Sequence, residues 1–124
     1  VTRRAAILAL VVFASGCGSG DRWAAADVER GRTALAAALD AWKANEPAAK
    51  LKTLADPVEF AEELRGTHTL TGYSISEPQA GDPVVIRYPV TLQLKDRKGK
   101  ATTREAVYAV VPKSPVVVSR DPFY

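Results

Sequence analysis

The chain predicts an α+β domain in which one long N-terminal helix packs across a curved antiparallel sheet of about four strands. Two observations carry this. In Val84–Lys95, the residues Val84, Ile86, Tyr88, Val90, Leu92 and Leu94 alternate with Val85, Arg87, Pro89, Thr91, Gln93 and Lys95. One face is wholly apolar and the other mostly polar, the period-two pattern of a strand half buried in a sheet. In Asp27–Lys43, Val28, Leu35, Leu39 and Trp42 recur at spacings of seven, four and three, forming one stripe beside Gly31 and Ala38. Burying six apolar side chains of the strand at about 1.5–3 kcal/mol each is a large term, and only Asp27–Lys43 is long enough to cover them.

In chain order, Thr2-Arg3-Arg4 is a short basic region and Ala5–Phe13 an apolar run, followed by Ala14-Ser15-Gly16-Cys17. A basic start, a short apolar centre and small residues at the end describe an export signal. The run is well short of the ~20 residues of a spanning helix. Val1 stands where Met is usual and the chain holds no Met, which points to a valine-type start codon.

At Ala14-Ser15-Gly16-Cys17 the chain resembles the lipobox of bacterial lipoproteins. The resemblance implies cleavage between Gly16 and Cys17, diacylation of the Cys17 thiol and acylation of its new amine. The family usually carries Leu where Ala14 stands. Ala14-x-Gly16 also suits an ordinary signal peptidase, which would leave Cys17 a free terminal thiol. The implied partner is the lipid bilayer, reached through acylated Cys17, and the implied location is the cell envelope. Each buried methylene contributes about 0.8 kcal/mol, so two or more acyl chains anchor firmly. The chain then divides into 1–16 (signal), 17–22 (lipidated cysteine and tether, with Gly18-Ser19-Gly20 flexible) and 23–124 (one α+β domain).

Within the domain, Asp27 is the expected N-cap, although Trp23-Ala24-Ala25-Ala26 also suits a helix, and Glu46-Pro47 ends the element. Trp42 belongs to the core; Trp23 rests on the domain or on lipid headgroups. Ala48–Ala55 is connection. Asp56-Pro57-Val58-Glu59 has the residue types of a helix start, so a short helix to about Arg65 is expected, stopped by Gly66. The two-residue spacing of Val58 and Phe60 also permits an extended piece. Thr69–Glu77 is the first strand, with Thr71, Tyr73 and Ile75 on one face. Pro78–Pro83 is a loop by composition, and Asp96-Arg97-Lys98-Gly99 is a tight turn with Gly99 at positive φ.

The returning strand is Ala101–Val111. Its register is open: either Thr103, Val107, Ala109 and Val111 face inward, or Ala106, Tyr108 and Val110 do. Val116–Arg120 is a last short strand. Pro89 cannot donate to a ladder, which implies a bulge or an unpaired edge position. A long N-terminal helix followed by a meander resembles the cystatin-like and NTF2-like folds. From Trp42 onward the chain is also similar to small bacterial lipoproteins that share a terminal pattern. Here that pattern is Thr103-Arg104-Glu105-Ala106-Val107-Tyr108-Ala109-Val110, then Ser114-Pro115-Val116-Val117-Val118-Ser119-Arg120. The lipoprotein resemblance implies no activity. The Gln-x-Val-x-Gly loop of cystatin-type inhibitors has no match in Gln79-Ala80-Gly81 or Gln93-Leu94-Lys95.

Composition narrows the function classes. The formal charge is +3, but with Arg3 and Arg4 removed 15 basic residues stand against 14 acidic ones, a net +1. That balance, mixed in sign along the chain, gives no case for nucleic acid. Cys17 is the one cysteine and His68 the one histidine. An intramolecular disulfide is therefore excluded, no cofactor is expected, and no nucleophile–base spacing is present. Glu59, Glu62 and Glu63 have no histidine at metal-binding spacing and read as a solvated face; no metal is expected. Arg87 and Arg104 are expected to face one another across the hairpin. The expected function is a membrane-tethered, non-catalytic binding module for an envelope protein or ligand. Arg87, Thr91, Gln93 and Lys95 on the outer sheet face form its contact surface. The alternative is a small NTF2-like enzyme or ligand binder, with Tyr73, Tyr88 or His68 lining a pocket between helix and sheet.

Overall fold

The computed structural model describes residues 23–123. The expected signal, the expected cleavage site at Gly16–Cys17, the cysteine expected to carry lipid (Cys17) and the expected tether lie outside the described residues, as does Tyr124. Helix α1 spans Ala25–Lys43, two residues longer at its start than the expected Asp27–Lys43. Ala24 occupies the N-cap position without a side-chain cap, and Asp27 lies in the first turn. Its charge there complements the positive end of the helix dipole. At the other end Asn45 adopts φ 58°. The Glu46 N–H reaches the Ala41 carbonyl at 2.8 Å and the Asn45 N–H the Trp42 carbonyl at 3.0 Å, a Schellman closure. The buried face is Gly31, Ala34, Leu35, Ala38, Leu39, Ala41 and Trp42.

A 3-10 turn over Ala48–Thr53 buries Leu51. The expected short helix from Asp56 to Arg65 is absent. Strand β1 covers Val58–Ala61, and a 3-10 turn, Glu63–Gly66, follows. The extended reading of Val58 and Phe60 is the one realised, because Val58 pairs with Val116 inside the core. Asp56, in place of capping a helix, receives Arg30 Nε and Nη2 at 2.9 and 2.8 Å.

The remaining strands are β2 (His68–Ile75), β3 (Ile86–Asp96), β4 (Ala101–Val111) and β5 (Val116–Arg120). They join β1 in one curled sheet of order β1-β5-β4-β3-β2. The α+β class stands, but the sheet is five-stranded and mixed, because β1 runs parallel to β5. The four strands from β2 onward are antiparallel neighbours, as expected.

The register of β4 is resolved by the turn. Asp96 Oδ1 accepts from the N–H groups of Lys98 and Lys100, both at 2.9 Å, and Gly99 takes φ 85°. This sets Lys95 opposite Ala101 and, without interruption, Ile86 opposite Val110. Ala106, Tyr108 and Val110 therefore face inward, and Tyr108 stands directly across from Tyr88. The same register places Arg104 opposite Leu92 and Ala109 opposite Arg87, so the two arginines do not meet.

In β3, Ile86, Tyr88, Val90, Leu92 and Leu94 are all buried, whereas Val84 precedes the strand and is 64% exposed. In β2 a register shift between Leu70 and Gly72 turns Thr71 outward, so Leu70 rather than Thr71 joins Tyr73 and Ile75 on the core side. Pro89 causes no bulge between β3 and β4. Val107 directs its carbonyl to the Asp121 N–H, so Pro89 and Val107 are a non-hydrogen-bonded pair. The proline nitrogen then points toward β2 where that strand ends, and its carbonyl accepts from Ser76 at 2.8 Å.

α1 lies across the concave side and touches every strand. Its Leu35 and Leu39 are fully buried against Ile86, Tyr88, Val90, Leu92, Tyr108, Val110, Val116 and Val118, which are fully buried in turn. Trp42 closes one end, its indole N–H donating to the His68 carbonyl at 3.1 Å. No helix among the described residues is long and apolar enough to cross a membrane.

Candidate functional site

Two polar constellations interrupt this apolar frame, one at each side of the sheet. The first is built around Arg87, which β3 projects from the convex face. Its Nη1 donates to Asp82 Oδ2 at 2.6 Å and its Nε to Asp121 Oδ2 at 3.0 Å. Asp82 also accepts from the backbone N–H groups of Val84 and Val85, and Asp121 from that of Phe123. These N–H donors, with the guanidinium, hold the Asp82 carboxyl down to about 2 and depress Asp121 as well. The two carboxylates in turn raise the guanidinium. The Asp82 carbonyl accepts the Trp23 indole N–H at 2.9 Å, tying the entrance of the domain to the same clamp.

The rest of the convex face is short and polar. Thr91 Oγ1 meets the Glu105 carboxylate at 3.1 Å, its cross-strand neighbour. Gln93 lies opposite Thr103 and beside Gly72, and Lys95 lies between Thr69 and Ala101. Gln93 and Lys95 are exposed and Thr91 half-buried. The proposed contact residues thus share one face, but Arg87 stands apart from the other three because its charge is already paired.

The second constellation is internal. The Glu62 side chain, 0% exposed, accepts from Arg120 Nε at 2.9 and 3.0 Å, from the Tyr108 hydroxyl at 2.7 Å and from the Leu64 N–H at 3.0 Å. Burial first, then the Glu62 charge, pushes the Tyr108 hydroxyl far above the usual phenol range. Every donor points at one carboxylate, so the group is a satisfied strut between β1, β4 and β5. An open cleft of about 390 Å³ runs past Glu62, Glu63, Ser119 and Arg120.

The residues expected to line a pocket are dispersed. Tyr88 donates its hydroxyl to the Val28 carbonyl at 2.6 Å under α1, and burial pushes it up to about 12. Tyr73 donates to Asp40 Oδ1 at 2.8 Å on an exposed edge, and its partial burial with that carboxylate pushes it up to about 12. His68 Nδ1 meets Thr67 Oγ1 at 2.7 Å at the start of β2. An open cleft of about 580 Å³ lies outside the helix–sheet interface, between Trp23, Val28 and Glu29 on one side and Glu77–Ala80 on the other. Among the described residues no three His, Cys, Asp or Glu side chains are grouped to hold a metal ion.

No family model, curated protein or solved structure matches this chain. The site therefore rests on its own geometry. Sequence reasoning missed Asp82, Asp121 and Arg120, and it placed Glu62 on a solvated face with Glu59 and Glu63; those two are exposed, but the Glu62 side chain is buried because Arg120, Tyr108 and the Leu64 N–H all bond to it. Asp82-Pro83 carries the side chain that caps its own turn, a readable local signal. Glu62 and Arg120 lie 58 residues apart and meet only because β1 joins β5.

Proposed function

We propose that this chain is an exported lipoprotein, held to the membrane through acylated Cys17, whose domain acts by contact and performs no chemistry. One observation supports the contact reading above the pocket reading. The space between α1 and the sheet is filled by Leu35, Leu39, Tyr88, Leu92 and Tyr108, and both buried hydroxyls are bonded to internal acceptors. A ligand there would have to displace core rather than enter a cavity. The convex face bearing Thr91, Gln93 and Lys95, together with Thr69 and Thr103, is then the surface offered to an envelope partner. The order of α1 followed by a sheet curled around it favours the cystatin-like and NTF2-like architectures.

Membrane fractionation of cells expressing Cys17→Ala tests the anchor: the variant should move to the released fraction with altered signal processing. A variant that stays membrane-bound and is processed as before overturns it. A photo-crosslinking residue placed at Gln93 tests the contact face in intact cells. A discrete adduct is expected there and none from the same probe at Lys43, at the far end of α1. Equal labelling at both positions overturns the assignment of the face.

A further inference from the structure

We infer that the domain rests on the bilayer through an apolar patch organised by the Arg87 clamp, with Val84 and Phe123 against the lipid and Trp23 at its margin. The inference rests on the lipid anchor proposed above and specifies which end of the domain the anchor brings down. Phe123 is 90% exposed and Val84 64% exposed; among the described residues Leu54 is the other exposed large apolar side chain. Both are held by the same guanidinium. The Val84 N–H donates to Asp82 at 2.8 Å, the Phe123 N–H to Asp121 at 2.9 Å, and Arg87 joins the two carboxylates. An exposed Phe on a backbone fixed in this way is presented, not left loose.

The chain outside the structure supplies the occupant. It enters the described fold at Trp23, which is bonded to the Asp82 carbonyl of that same clamp. Six residue steps from Cys17 to Trp23 span at most about 20 Å even when fully extended. A lipid on Cys17 therefore keeps the clamp within that distance of the headgroups. Trp, Phe and Val suit the interface, where an indole keeps a polar edge and apolar side chains enter the acyl boundary. The clamp itself holds two carboxylates against one guanidinium, so anionic lipid is not what recognises it, and the docking should be insensitive to salt.

The test uses the full lipidated protein reconstituted in phosphatidylcholine vesicles containing brominated acyl chains, which quench nearby indoles. Trp42, 3% exposed, is an internal reference that bromine should not reach. The expected result is quenching that disappears in Trp23→Phe, is lost in the double variant Val84→Ser/Phe123→Ser, and is unchanged in Leu54→Ser. The exposed sites allow these serines without loss of fold, which circular dichroism checks. Unquenched Trp23 in vesicle-bound wild type overturns the patch and leaves the anchor standing. Undiminished quenching in the double variant overturns it equally. Wild-type protein that does not stay with the vesicles overturns both readings.

Discussion

Gly31 of α1 passes so close to Tyr88 that a Cβ at Gly31 would lie 2.7 Å from the tyrosine hydroxyl. The hydroxyl is held there by its bond to the Val28 carbonyl, one turn earlier in the helix. A glycine in mid-helix costs about 1 kcal/mol relative to alanine, so the approach of helix to sheet outweighs helix propensity at this position.

Gly31→Ala should therefore destabilise the domain, with the strain of overpacking, about 1–3 kcal/mol, exceeding the propensity gain. Tyr88→Phe should cost about 1 kcal/mol for the lost hydrogen bond. The double variant should be more stable than the sum of the two, because removing the hydroxyl makes room for the methyl. Urea unfolding of all four proteins measures this coupling, and simple additivity would show that the contact carries no strain.

The two faces of β3 should respond differently to charge. Ile86→Asp or Leu92→Asp places a carboxylate under α1 with no partner, a cost comparable to the ~5–15 kcal/mol that holds a domain together. Gln93→Asp should be mild. Thr91→Asp should cost somewhat more, since it stands opposite Glu105. Thermal melts followed by circular dichroism distinguish these outcomes.

The Arg87 clamp should weaken in acid. Asp82, held down to about 2, and Asp121, also depressed, bind protons less readily when folded than the unfolded value of about 3.9. The unfolded chain therefore takes up more protons between about pH 4 and pH 2, and stability falls as pH falls through that window. Arg87→Gln removes one cause and leaves the backbone donors. Its melting temperature should start lower at neutral pH and decline less steeply between pH 4 and 2 than that of wild type. Parallel declines would mean that the guanidinium contributes nothing to the shift.

Glu62→Ala should be among the most damaging polar substitutions, at about 3–5 kcal/mol, because it strands Arg120 and the Tyr108 hydroxyl together. Combining Glu62→Leu with Arg120→Met should recover much of that loss, since no isolated charge remains. Denaturation midpoints for the single and double variants read this directly. A mild Glu62→Ala would show that water replaces the carboxylate.

What could be read from the sequence was what repeats locally. The alternation of Ile86 through Leu94 and the stripe through Leu35, Leu39 and Trp42 each lie within one element, so both appear in the structure as expected. The β4 register stayed open because it depends on the Asp96–Lys100 turn geometry rather than on the composition of β4. Asp56-Pro57-Val58-Glu59 has the residue types of a helix start, yet pairing with Val116 and capture of Asp56 by Arg30 override that preference. Of the candidate site, Thr91, Gln93 and Lys95 follow from strand parity. The pairing of Arg87 does not, because Asp121 reaches it from beyond a different strand.

The parallel seating of β1 on β5 has a consequence for the order of assembly. Val58 finds its partner only at Val116, so the β1 edge cannot close while the chain is still emerging, even after the β3–β4 hairpin has paired. Contacts of such wide sequence separation form late, since the loop between them must be ordered first. Until β5 arrives, Glu62 has no Arg120, and α1 covers a sheet with one margin missing. A polypeptide built this way closes its sheet only when its last strand is in place, so an early stop in synthesis leaves Val58 and Glu62 without their partners.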